Sequence, residues 1–146
     1  MKVLIGVDPH KGSVAVAAID QVTGELLERA AFPQDRTGLR ALERWVRRFP
    51  ERRWAMENAR GLGRHLAGRL VAAGESVVDV PPKLSARVRV LSSGNARKND
   101  ELDALATALA ASRNEGLRRW IPRSTRRCCA CSPRGEGTWW QSVPER

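Results

Sequence analysis

Four acids in this sequence have the types and spacing to do chemistry together: Asp8, Glu57, Asp100 and Asp103. Asp8 closes the apolar run VLIGVD, and Glu57 closes the short run WAME. In an open α/β sheet the carboxyl ends of neighbouring parallel strands open into one crevice, the usual ligand site. Asp100 and Asp103 are spaced i and i+3 in NDELDALATALAA, which puts their side chains on one helix face with Cβ atoms roughly 5–6 Å apart. Four carboxylates from three elements repel one another unless a cation sits among them. An all-oxygen donor set suits Mg²⁺ or Mn²⁺. Two such ions roughly 4 Å apart can stabilise both the attacking and the leaving oxygen of a phosphoryl displacement. Each acid also has a plainer role open to it. Asp8 before Pro9 suits a turn, Glu57 before Asn58 a helix cap, and Asp100 the positive end of a helix dipole. Asp103 has less of an alternative, being a turn into the helix among Leu102, Ala104 and Leu105.

The elements that must position these acids follow from periodicity. Residues 2–8 and 13–19 read as buried strands, and residues 25–32 fit a third strand of a meander, although their composition also tolerates a helix. Residues 37–49 carry Leu39, Leu42, Trp45, Val46 and Phe49 at helical steps, with Thr37 as the expected N-cap and Pro50 as the stop. Residues 54–57 form a fourth strand, 61–73 a second helix ended by Gly74, and 76–80 a fifth strand broken by Pro81 and Pro82. Residues 83–98 hold five bases and no acid, namely Lys83, Arg87, Arg89, Arg97 and Lys98, around a Ser-Ser-Gly-Asn centre. Residues 99–111 are the strongest helix, with Asn99 placed to cap it. This order, β-β-β-α-β-α-β-α, predicts an α/β fold with a mixed five-stranded sheet and helices on its faces.

At 146 residues the chain suits one ordinary domain. Its net charge of +10 and pI of about 11.1 point to a polyanionic partner, nucleic acid ahead of a merely solvated basic surface. Of 26 basic residues only four are lysines. Cys128, Cys129 and Cys131 lack the companions of a zinc site or a disulfide framework. No apolar run approaches the ~20 residues that cross a bilayer, and the N-terminus lacks a secretory pattern, so no membrane role and a cytoplasmic location are expected. Past Ala111 the character changes. Residues 113–146 carry eight arginines, three of five tryptophans and every cysteine, with no sustained periodicity. The expected division is therefore a domain over 1–112 and an irregular basic tail over 113–146 outside the core. On that view a chain ending at Arg119 melts like the full one.

VDPHK, AMENARG and RKNDELDALATA, in that order, resemble the three acidic motifs of the DEDD transposases of bacterial insertion sequences. The resemblance runs from residue 2 to about 119, and it implies a ribonuclease H-like, RuvC-like fold. It implies that Asp8, Glu57, Asp100 and Asp103 are the catalytic, metal-binding tetrad, using Mg²⁺ or Mn²⁺. It also implies recombination of DNA with a structured guide RNA, by a homo-oligomer. Lys11 would then hold phosphate or balance the acids, and His10 would either orient a carboxylate or a water or stand as a surface histidine before a turn. Lys83, Arg87, Arg89, Arg97 and Lys98 would hold the nucleic-acid backbone. Full members continue through a coiled coil into a domain with a catalytic serine. The sequence after RNEGLRRW resembles an out-of-frame reading, so a truncated transposase is expected. A non-catalytic nucleic-acid-binding remnant is the alternative. An actin-like sugar kinase lobe would share GVDPHKGS but needs glycine-rich adenosine loops that are not seen.

Overall fold

The computed structural model describes residues 1–92 and 100–122. Its centre is β1 (Val3–Pro9), buried along its whole length except at Asp8, which is half-buried. On one side β1 pairs antiparallel with β2 (Ser13–Asp20), which pairs antiparallel with the edge strand β3 (Leu26–Pro33). Tight turns suffice for these connections. On the other side β1 pairs parallel with β4 (Arg52–Glu57), and β4 pairs parallel with β5 (Val77–Val80). Parallel neighbours need crossovers, which α1 (Arg36–Val46) and α2 (Arg64–Ala72) supply. The sheet order is β3-β2-β1-β4-β5, the mixed five-stranded sheet that the element order implied.

Strand side chains alternate between faces, and the two faces bury different partners. Val3, Ile5 and Val7 of β1 join Trp54 and Met56 of β4 against Leu39, Leu42 and Val46 of α1 and Leu66 and Leu70 of α2. Leu4, Ala55, Val78 and Val80 pack on the other face against Ala106 and Ala108 of α4 (Asp100–Ser112) and Val88 of α3 (Pro82–Ser92). Gly6 belongs to this second face. A Cβ at Gly6 would lie 2.1 Å from the Ala104 carbonyl oxygen and 2.7 Å from the Ala108 nitrogen, so only glycine admits α4 this close. Small residues continue the close approach, with Ala15 and Ala17 of β2 buried against Ala104.

Three expectations change. Asp35, not Thr37, caps α1, its carboxylate accepting from the Gly38 amide at 2.7 Å. The basic stretch after Pro81 is helical through Ser92, with Pro82 at the first helical position, where the missing N–H costs nothing. The chain past residue 112 also returns to the core. Arg119 bridges Val78 in antiparallel fashion, the Asp79 amide donates to the Arg118 carbonyl at 3.0 Å, and the Trp120 amide donates to the Val77 carbonyl at 2.8 Å. Trp120 is only 8% exposed and sits in the α1–α2 core. The tail boundary at 112 is therefore too early, because a buried indole and an occupied β5 edge tie residues 117–120 to the sheet. Residues 123–146, with their cysteines, lie outside the described residues. Among the described residues no helix is long and apolar enough to cross a membrane.

Candidate functional site

The pleat and the register decide where the acids go. Asp8 has the parity of Leu4 and Gly6, and Glu57 has the parity of Ala55, so both belong to the sheet face that α4 covers. The β1–β4 ladder pairs Val7 with Met56, which leaves Asp8 and Glu57 as the next residue on each strand at their carboxyl ends. The first turns of α4, held close by Gly6, bring Asp103 to this edge. Asp103 is buried at 4% exposure. Asp100 is the first residue of α4, and its side chain is outside the described part of the structure.

Each described acid has a specific partner. The Asp8 Oδ2 atom lies 3.1 Å from His10 Nε2. Glu57 Oε2 accepts from the Ser85 hydroxyl of α3, with Thr107 Oγ1 of α4 at 3.4 Å. Thr107 is nearer the Asp103 carbonyl, at 2.9 Å, so its proton serves the helix first. Ser85 and Thr107 are both fully buried, which makes a hydrogen-bonded acid the natural partner for each. Asp103 Oδ1 accepts from Arg89 Nη1 at 2.9 Å. The Arg89 guanidinium is held above its ordinary pKa, first by that hydrogen bond and then by the charges of Asp103, Glu57 and Asp8, against the opposing effect of burial. Arg89 thus contacts Asp103 directly, and Glu57 and Asp8 act on it only as nearby charges.

The basic residues separate accordingly. Lys11 is exposed in the turn after β1. Lys83 and Arg87, four apart on α3, are exposed, whereas Arg89 turns inward and is only 32% exposed. The expectation of Arg89 as a backbone contact alongside Lys83 and Arg87 therefore meets a different arrangement, because the buried Asp103 charge needs a counter-ion. Arg97 and Lys98 lie outside the described residues.

A family model described as a transposase, of the DEDD type named for IS110, matches residues 5–129. The chain belongs to the DEDD transposases. No curated relative matches it. Among solved structures it is similar to T. thermophilus RuvC in complex with a Holliday junction substrate, at TM-score 0.59 and 21% identity, covering 82% of this chain and all (100%) of that one. A second Thermus thermophilus RuvC structure gives TM-score 0.56 at 21% identity over 81% of this chain and 99% of that one. The large terminase nuclease of the thermophilic phage G20c gives 0.52 at 14% identity, over 75% and 81% of the two chains. These likenesses establish the ribonuclease H-like, RuvC-like fold.

In this DEDD transposase domain the sequence pattern missed Ser85, Thr107 and the inward turn of Arg89. Ser85 and Thr107 carry no local signal, since a serine or threonine inside a helix ordinarily bonds its own backbone. Among the described residues no group of three or more His, Cys, Asp or Glu side chains could hold a metal ion as they stand. The donor chemistry still suits a hard divalent cation. Asp8 and Glu57 are carboxylates on the sheet face that α4 covers, and Asp103 is a buried carboxylate of α4 paired with Arg89 at 2.9 Å.

Proposed function

We propose that the chain is the DNA-processing domain of a transposase in which Asp8, Glu57, Asp100 and Asp103 hold Mg²⁺ or Mn²⁺ for phosphodiester chemistry. The observation that carries this reading is that Asp8 and Glu57 end adjacent parallel strands on the sheet face covered by α4, which supplies the buried Asp103. A bound divalent ion would supply charge stabilisation for the attacking and leaving oxygens of a phosphodiester. Ser85 orients the Glu57 carboxylate through its buried hydroxyl, and His10 holds Asp8 at the strand end. Lys11, Lys83 and Arg87 are exposed and free of burial cost, so they suit DNA phosphates. Family resemblance extends the reading to a structured guide RNA, to Arg97 and Lys98 as further backbone contacts, and to an oligomeric assembly.

Cleavage of a four-way DNA junction and of supercoiled plasmid, with Mg²⁺ and with EDTA, tests the proposal. Asp8→Asn and Glu57→Gln should each lower the Mg²⁺-dependent rate by at least about a hundredfold, the scale of losing one preorganised charge-stabilising group. Cleavage indifferent to both substitutions and to EDTA would refute it. The exposed Lys83–Arg87 pair favours a second reading, a module that binds nucleic acid without cutting it. That reading predicts binding without cleavage at any Mg²⁺ concentration. On either reading, replacing both bases should flatten the slope of log affinity against log salt by up to about 0.9 per lost duplex contact.

A further inference from the structure

A buried acid normally needs a partner, and here the partner is a cation that competes for the same ligand. Asp103 is 4% exposed, and its Oδ1 is engaged by Arg89 Nη1 at 2.9 Å. Glu57 ends β4 and Asp8 ends β1 on the sheet face that α4 covers. Arg89 sits near the C-terminal end of α3, two residues past the solvent-facing Arg87, and about a third of its side chain remains exposed (32%). A long side chain in that position can leave the acids for solvent without unfolding the helix, whose hold on the core comes from Val88, Leu84 and Ser85.

We infer that Arg89 is the internal counter-ion of Asp103, and that a divalent cation and the Arg89 guanidinium exclude each other from it. The inference rests on the metal-binding reading above and adds the residue that sets its affinity. Without metal, Arg89 offsets the repulsion that crowded carboxylates would otherwise suffer, and so keeps β1, β4 and α4 together. With metal, Asp103 exchanges one guanidinium hydrogen bond for a coordination bond, and Arg89 is released toward the surface that carries Lys83 and Arg87. Loading the ion therefore means breaking a charge-assisted hydrogen bond. Removing Arg89 should tighten metal binding by about ten- to a hundredfold, the equilibrium range of one such bond. A purely structural arginine would act the other way, since its loss would loosen the acids and weaken the ion.

Calorimetric titration of Mn²⁺ alone into wild type, Arg89→Gln and Asp8→Asn, each as the full chain, separates the cases. Support is an Arg89→Gln affinity at least about tenfold tighter than wild type, together with strong weakening in Asp8→Asn. An Arg89→Gln affinity equal to or weaker than wild type, with Asp8→Asn still weakened, overturns the role of Arg89 and leaves the metal site standing. Equal Mn²⁺ response in wild type and Asp8→Asn overturns the metal reading itself, and this inference with it. If Arg89→Gln does not fold, the wild-type chain answers the same question. Followed by NMR, the Arg89 guanidinium protons should be protected from exchange without metal and exchange rapidly as Mg²⁺ saturates. Protection that persists at saturation overturns the inference.

Discussion

Trp120 offers the sharpest test of how far the domain extends. Its side chain keeps 8% of its surface and packs in the cluster that contains Ala59, Leu66, Ala67, Leu70 and Val77. The indole Nε1 donates to the Ala59 carbonyl at 3.0 Å, and the Trp120 amide donates to the Val77 carbonyl at 2.8 Å. Trp120→Ala removes the ring and leaves a cavity beside α2, at a cost of about 3–5 kcal/mol. Trp120→Phe keeps most of the apolar contact but strands the Ala59 carbonyl, for about 1–3 kcal/mol. At roughly 3 °C per kcal/mol for a chain of this size, the two variants should melt about 10–15 °C and about 3–9 °C below wild type. A chain ending at Arg119 loses the same anchor, so it should melt about 10 °C below one ending at Pro122. Thermal melts followed by circular dichroism read all four proteins. Coincident curves for the chains ending at Arg119 and Pro122 would refute the reasoning and restore a core boundary before residue 120.

Gly6→Ala should be severe for a strand position with no side-chain chemistry. Its Cβ would stand 2.1 Å from the Ala104 carbonyl, a backbone atom that cannot turn away, so α4 must lift at a cost of about 3 kcal/mol or more. Lifting α4 also withdraws Asp103, so Mn²⁺ affinity should fall together with the melting temperature, and a wild-type melt would refute the close packing. Asp20 has a carboxyl pKa lowered by amides it accepts from, Thr23 first and then Val22, at 2.9 and 2.7 Å. A lowered folded pKa gives stability that is present above the ordinary carboxylate range and is lost as pH falls through the folded value. The melting gap between wild type and Asp20→Ala should therefore hold at neutral pH and shrink on acidification. A gap that widens instead would refute the turn-capping role.

The sequence alone determined the parts of this protein that local physics controls. Apolar runs placed β1, β2, β4 and β5, and the helical spacing of Leu39, Leu42, Trp45 and Val46 placed α1, because burial on one face leaves a period that a reader can count. Asp8 and Glu57 were legible as acids ending such runs, and Asp103 as a charge within an apolar stripe. Motif order then sufficed for the family. Tertiary structure alone decided the rest, because those features depend on partners distant along the chain. Ser85 meets Glu57 across 28 positions, and Trp120 meets Ala59 across 61. Neither residue has a neighbour in sequence that signals its role. Residues 82–92 look like a solvated basic stretch until α4 lies beside them, and then Asp103 draws Arg89 inward while Lys83 and Arg87 stay in water. Periodicity shows which face of an element is buried. Only the packed sheet shows which charge a buried acid will find there.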